Sequence, residues 1–339
     1  MDGPIRTCLA LGGGGARGLS HLGVMEVLDR EGFPIDCIVG TSAGAVVGAA
    51  YALQPDATLI AEHALEYFRE SQRKSNTFKK VLLGTEDAEQ NFFTNLISNV
   101  RKGYVFSALL RRPSIFPGEK LYEVISDLVP DKQFSDTKIP FAVPALDIRS
   151  GEEVILREGS LRKAVHASCS LPGFFPPVEF GDHLLVDAGV IGPVPVNASR
   201  CFAPSVVIGV DITSHLDEIT EISQGLDAIL RVEAIACKRL NDLDLRQADL
   251  VINPEVGDKD WSDFSDLDDL VDDDGNPTGL APNEVVEIDE WILDFSSLFR
   301  EHLGIDAEGH LDLHQEVRAL FHSFFSCRAR FLTTTLSAK

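Results

Sequence analysis

Three short stretches of this 339-residue chain hold residues whose types and spacing could do chemistry. In Gly40-Thr41-Ser42-Ala43-Gly44 a serine stands between two glycines, after an apolar run and before small residues that tolerate a helix. Such a turn either caps the helix with its hydroxyl or exposes that hydroxyl as a nucleophile, because the glycines let the backbone approach itself without Cβ clashes. Gly12 to Gly18, "GGGGARG", lies between an apolar strand and a helix. Amides at that position line the positive end of a helix dipole and favour an anion. The third stretch, "HLLVDAGVIGPVPV", ends an apolar run with Asp187 and the small-residue turn Ala188-Gly189. Its carboxylate could act as a base or simply close the turn.

The glycine loop is consistent with three anion-binding readings. A Walker A loop fails, since Leu19 stands where the phosphate lysine should be. A dinucleotide fingerprint is matched in letters by Gly13, Gly15 and Gly18, but it also wants an acidic residue at the end of the second strand, and Asp36 sits near that strand's start. The second strand ends instead in the Gly-x-Ser-x-Gly turn. An amide-rich loop beside that turn favours the nucleophile over the cap, because the loop would then form an oxyanion hole facing Ser42. Parallel strands bring their carboxyl ends to one edge of the sheet, so the serine and the amides are expected to face one another there, and the Asp187 carboxylate could lie on the same edge as Ser42. A serine hydroxyl needs a base. None of the nine histidines has a neighbourhood that marks it for the role, and His21, inside the first helix, reads as a packing or hydrogen-bonding residue.

The elements that must position these groups follow from periodicity. Residues 5–11 and 35–40 read as buried strands, and 17–32 and 43–53 as helices, which makes right-handed βαβ units with a parallel sheet. A helix at 55–73 precedes a basic, aromatic-rich stretch, 73–116, taken as a helical insertion that could serve as a lid. Beyond it come a helix near 118–128, a strand at 141–147, a hairpin turning at Ser150-Gly151, a short helix at 160–168 and the strand ending at Asp187. A strand at 205–211, a long helix near 219–243 and a strand at 249–253 complete the alternation. "DLDDLVDDDGNPTG" (266–279) fails as a calcium loop, since the first and twelfth positions would be Leu270 and Ala281. Residues 308–333 read as a last amphipathic helix.

Four segments, "LALGGGGARGLSHLGVMEVL", "IVGTSAGAVVGAAYA", "HASCSLPGFFPPV" and "LLVDAGVIGPVPV", in this order and spacing, resemble the patatin-like phospholipase family. The resemblance covers roughly residues 5 to 215, and "DWSDFSDLDDLVDDDG" (260–275) is similar to that family's C-terminal segment. It implies an α/β fold of three layers, α/β/α, with a mainly parallel central sheet, and a Ser-Asp dyad without histidine. Carried over residue by residue, Ser42 is the nucleophile between the elbow glycines Gly40 and Gly44, and Asp187, followed by Ala188 and Gly189, is the base. Gly13, Gly14 and Gly15 supply oxyanion amides, and Arg17 braces their loop. The substrate implied is a fatty-acyl ester of a lipid or phospholipid, attacked without cofactor or metal. Ala188 stands where many members have glycine, and His166 where related sequences often carry arginine.

Domain organisation follows: a catalytic domain over 1–254, with 73–116 as its insertion, and an acidic loop plus C-terminal helices over 255–339 packing on the same domain. The formal charge of −23 argues against nucleic acid as partner. That charge is uneven, with 20 Asp and Glu against two basic residues from Glu255 to Glu316, and nine Lys and Arg against four acidic residues from Arg69 to Arg112. The basic stretch could meet an anionic membrane surface peripherally. The six cysteines form no Cys-x-x-Cys pair and read as reduced. No leader and no apolar run of about 18 residues is evident, so the expectation is a soluble, cytoplasmic protein without a transmembrane segment. Two other readings compete: a lipid-binding regulatory protein with negligible turnover, and a nucleotide-binding protein that uses Gly12 to Gly18.

Overall fold

A computed structural model of the chain describes residues 6–30, 32–73, 112, 114–213, 216, 222, 225–254 and 330–331. Five strands form a parallel core: β1 (Thr7–Leu11) lies between β2 (Cys37–Gly40) and β7 (Val206–Val210), β2 pairs with β3 (Phe141–Asp147), and β7 pairs with β8 (Leu250–Asn253). β1 and β2 are buried along their whole length, as strands covered on both faces must be, and their sequences are accordingly uninterrupted apolar runs.

Alternation along β1 shows the layers. Leu9 and Leu11 belong to the large core that includes Leu22, Met25 and Leu28 of α1 (Ser20–Arg30) and Val47 of α2 (Ala43–Leu53). Cys8 and Ala10 point to the other face, where they meet Ala198 of the short helix α6 (Val196–Ser199) and Leu245 of the long helix α7 (Gly225–Leu245). Helices thus cover both faces of a mainly parallel sheet, giving the three-layer α/β/α arrangement. α2 is built of small residues because it lies close to the sheet: a Cβ on Gly48 would stand 2.8 Å from the Phe141 ring. α3 (Ala57–Arg73), α4 (Gly118–Leu128) and α5 (Leu161–Ser168) complete the described helices of eight residues or more.

The other half of the sheet is antiparallel. β4 (Glu153–Leu156) forms the expected hairpin with β3, with Gly151 at φ 79°, and β5 (Val178–Phe180) turns at Gly181 into β6 (His183–Asp187). β6 itself runs antiparallel to β3, placing Asp187 opposite Ala145, whereas β2 runs parallel to β3 and places Val39 opposite Ala142. The C-terminal ends of β2 and β6 therefore advance toward each other along β3. Asp187 thus comes to the elbow from an antiparallel strand. The chain passes from β3 to β6 through β4, α5 and β5, and β5 turns directly into β6.

The segment over 73–116 lies outside the described residues except at its ends, and the later end is extended rather than helical: Ser114 bridges Gly173, and the Phe116 amide donates to the Phe174 carbonyl at 2.9 Å. The acidic loop and the predicted last helix also lie outside them, apart from Arg330–Phe331. Those two residues pair as strand β9 with β8, whose edge would otherwise leave backbone groups without partners.

Candidate active site

Ser42 follows β2 with φ 53° and ψ −119°, a backbone that a residue bearing Cβ adopts at about 1–3 kcal/mol. Close approach forces this turn. A Cβ on Gly40 would stand 2.2 Å from the Gly44 carbonyl oxygen, and one on Gly44 would stand 2.3 Å from the Leu11 carbonyl oxygen, so only glycine fits either position. The Ser42 side chain makes no capping bond to α2. Its amide instead donates to Ser168 Oγ at 3.0 Å, and that hydroxyl donates to the Pro144 carbonyl at 2.9 Å. The elbow is held by β3 and α5, and the capping reading of Ser42 is removed.

The glycine loop lies directly against the elbow: a Cβ on Gly13 would be 3.2 Å from the Ser42 Cβ, and one on Gly18 only 2.6 Å from the Ala43 Cβ. Three anchors hold the loop. The His21 ring, buried below it, donates from Nε2 to the Gly12 carbonyl at 2.8 Å; burial keeps this imidazole neutral by lowering its pKa to about 4. Arg17, itself buried, donates from Nε to the Gly14 carbonyl at 3.3 Å. The Gly13 amide donates to the Pro193 carbonyl at 2.9 Å. That bond engages one of the three amides expected to be open to a ligand, whereas the amides of Gly14 and Gly15 find no acceptor among the described residues.

Asp187, at the end of β6, is buried, and its Oδ1 accepts the Gly189 amide at 2.7 Å. The nearby Ser42 hydroxyl favours the charged form of this carboxyl. Burial raises the Asp187 pKa from 3.8 to about 6, and the Gly189 amide and the Ser42 hydroxyl restrain the rise by favouring the charged form. Gly189 must be small here, because a Cβ would lie 3.0 Å from Oδ1 and 3.6 Å from the Thr41 methyl. The same distances confirm that the ends of β2 and β6 meet.

Ser42, Asp187, Gly189 and Gly13 to Arg17 line one cavity of about 1250 Å³, as bounded by the described residues. Most of its other walls are apolar, among them Leu19, Leu53, Leu121, Leu128 and Phe174. Among the described residues no histidine bonds to Ser42 or Asp187. His183 pairs with Asp147 at 2.9 Å, and that bond, with three others to the carboxylate, holds Asp147 below the usual range. His166 packs edge-on against Tyr122 with ring centres 5.3 Å apart, its Nε2 has no partner, and burial lowers its pKa. It does not line the cavity. His63 does, from α3. No group of three or more His, Cys, Asp or Glu side chains among the described residues could hold a metal ion.

The family model described as patatin-like phospholipase matches residues 9–199, which include the glycine loop, the elbow and Asp187. The chain belongs to the patatin-like phospholipase family. Its similarity to individual relatives is moderate. It is 31% identical over 223 residues to patatin-like phospholipase domain-containing protein 6 of Homo sapiens, covering 65% of this chain and 14% of that one. It is 34% identical over 204 residues to an uncharacterized NTE family protein of Mycobacterium tuberculosis, covering 60% of this chain and 30% of that one. Neuropathy target esterase sws of Drosophila melanogaster is 28% identical over 211 residues, covering 62% and 13%. This patatin-like chain thus matches a small part of each of these relatives.

Two side chains at the site were not singled out by sequence. Ser168 fixes the Ser42 amide, and the Cys169 thiol, on the cavity wall beside Ser42, is pushed well up in pKa by burial. Both lie in the "HASCSLPGFF" stretch, so the available signal was a serine and a cysteine at the C-terminal end of a short helix. No helix among the described residues is long and apolar enough to cross a membrane.

Proposed function

We propose that this patatin-like chain is a serine acyl hydrolase that cleaves fatty-acyl esters of lipids or phospholipids. The observation that carries the reading is that Ser42, on its strained elbow, and the buried Asp187 line one largely apolar cavity beside the glycine loop. In the first step Asp187 accepts the Ser42 proton as Oγ bonds to the ester carbonyl carbon. The carbonyl oxygen becomes an oxyanion, which takes hydrogen bonds from the Gly14 and Gly15 amides; donors so placed contribute about 3–4 kcal/mol each in other hydrolases. Collapse of this intermediate breaks the ester bond, and the proton on Asp187 passes to the leaving alcohol. Water then attacks the acyl-serine carbonyl carbon and gives its proton to Asp187; collapse of the second intermediate breaks the bond to Oγ, returns that proton from Asp187 to Ser42 Oγ and releases the fatty acid.

A carboxylate at its ordinary pKa is a weak base at neutral pH. Raising Asp187 to about 6 brings it closer to the working range while leaving it mainly ionised at pH 7. The apolar walls fit an acyl chain, and the phospholipase and esterase names of the family and of the Drosophila relative support the same substrate class. Peripheral contact with an anionic membrane through the basic residues between Arg69 and Arg112 is part of this proposal.

The test is hydrolysis of a panel of phospholipids, lysophospholipids and neutral acylglycerols, read by mass, with native protein and Ser42→Ala. Release of fatty acid by the native protein, its loss in Ser42→Ala, and covalent labelling of Ser42 by an alkyl fluorophosphonate are expected. Equal release by both proteins would overturn the proposal.

A further inference from the structure

The family match ends at residue 199, yet the loop that follows Asp187 is held from outside that span. Cys237, Asn241 and Asp244 recur at i, i+4 and i+7 on α7 and so share one face. All three engage the segment 189–197. Cys237 Sγ donates to the Gly189 carbonyl at 3.3 Å, Asn241 Oδ1 accepts the Val194 amide at 3.1 Å, and Asp244 accepts from Asn197 Nδ2. Asn241 is the buried member of the set, with no exposed surface. Its Nδ2 donates to Asp211 Oδ2 at 3.3 Å, and the other oxygen of Asp211 accepts the Thr213 amide at 2.9 Å.

The peptide that Asn241 grips leads directly to the reacting groups. Val194 follows Pro193, whose carbonyl accepts the Gly13 amide, and Gly13 packs on the Ser42 Cβ. A displacement of Pro193 would therefore pull on the first residue of the amide loop. Oxyanion donors act only when aligned on the position the developing charge will occupy, so a small shift there affects the transition state more than substrate binding.

We propose that Asn241 is a positioning residue for the oxyanion loop, acting through Val194, Pro193 and Gly13, with Asp211 fixing its amide orientation. The inference rests on the acyl-hydrolase reading above. It assigns a role in turnover to α7, which lies beyond the matched family span.

Asn241→Leu keeps the side-chain size but removes both hydrogen bonds. Measured per site titrated with fluorophosphonate, kcat on a lipid ester should fall at least about tenfold with KM within about twofold, and the phosphonylation rate of Ser42 should fall in parallel. The exchanged pair Asn241→Asp with Asp211→Asn restores an acceptor for the Val194 amide and a donor between the two side chains, so it should recover most of kcat, whereas Asn241→Asp alone should not. These two variants decide the question even where Asn241→Leu does not fold. Native kcat in folded Asn241→Leu or Asn241→Asp, or an exchanged pair that folds but stays as slow as Asn241→Asp, would overturn the proposal. Loss of Ser42 dependence in the native protein would instead overturn the hydrolase reading, so the two failures are separable.

Discussion

Ser42 and Asp187 line the same cavity although their strands run in opposite senses along β3. Each sits at a C-terminal strand end, and the two ends meet head to head. Asp187 is buried there, and burial sets both its acidity and its effect on stability.

Asp187→Asn keeps the shape but removes the proton acceptor. A positioned general base contributes about 10²–10⁴ in rate, so kcat should drop within that range while the protein stays folded. Steady-state hydrolysis alongside far-UV circular dichroism checks this, and turnover at the native rate would reject Asp187 as the base.

Activity should follow the ionisation of the same group. With a pKa near 6, kcat/KM should be low at pH 5, rise through about pH 6 and level off above about pH 7. A profile that is still flat down to pH 4.5 would mean that the required base is not this carboxyl.

Stability should move the other way. The folded pKa lies above the ordinary value of 3.8, so below that value the group is neutral in both states and imposes no penalty. As pH rises from about 4 to 6 the unfolded chain loses the proton first, and stability falls; the loss is complete above about pH 6, and two pKa units correspond to at most about 3 kcal/mol. Asp187→Asn should therefore melt at a higher temperature than the native protein at pH 8, with the gap closing by pH 4. Thermal melts of both proteins at the two pH values test it, and an equal gap at both would contradict the linkage.

Glycines at the elbow should tolerate no side chain. Gly44→Ala places a Cβ 2.3 Å from the Leu11 carbonyl oxygen, and at least about 2–3 kcal/mol of stability should be lost, with activity. Gly151→Ala, where φ is 79° and space is open, should lose only about 1–2 kcal/mol and leave kcat unchanged. Denaturant melts of the two variants side by side make the comparison.

Histidine replacement separates a dyad from a triad. His63→Ala and His166→Ala should each keep kcat within about threefold of native, since neither ring bonds Ser42 or Asp187. Loss of turnover in either folded variant would require a histidine in the chemistry.

Much of this arrangement was legible without coordinates, and the physical reason is locality. The strand-turn-helix around Ser42 is specified within a few residues, because only glycine permits the approaches made at positions 40 and 44. The same holds for the amide loop after β1 and for the buried strands, whose unbroken apolar runs reflect coverage on both faces. What required tertiary structure was every relation set by partners far along the chain. The sense in which β6 enters the sheet depends on its pairing with β3, so no pattern within "HLLVDAG" distinguishes a parallel from an antiparallel approach. Whether an amide stays open depends on which carbonyl reaches it, and among the described residues Pro193 takes Gly13 while Gly14 and Gly15 find no acceptor. The grip of Asn241 on Val194 spans 47 positions and joins two elements that share no periodic signal. Local chemistry determined which groups could react, and long-range pairing decided how they are aimed, because hydrogen-bond partners and desolvation are properties of the folded chain alone.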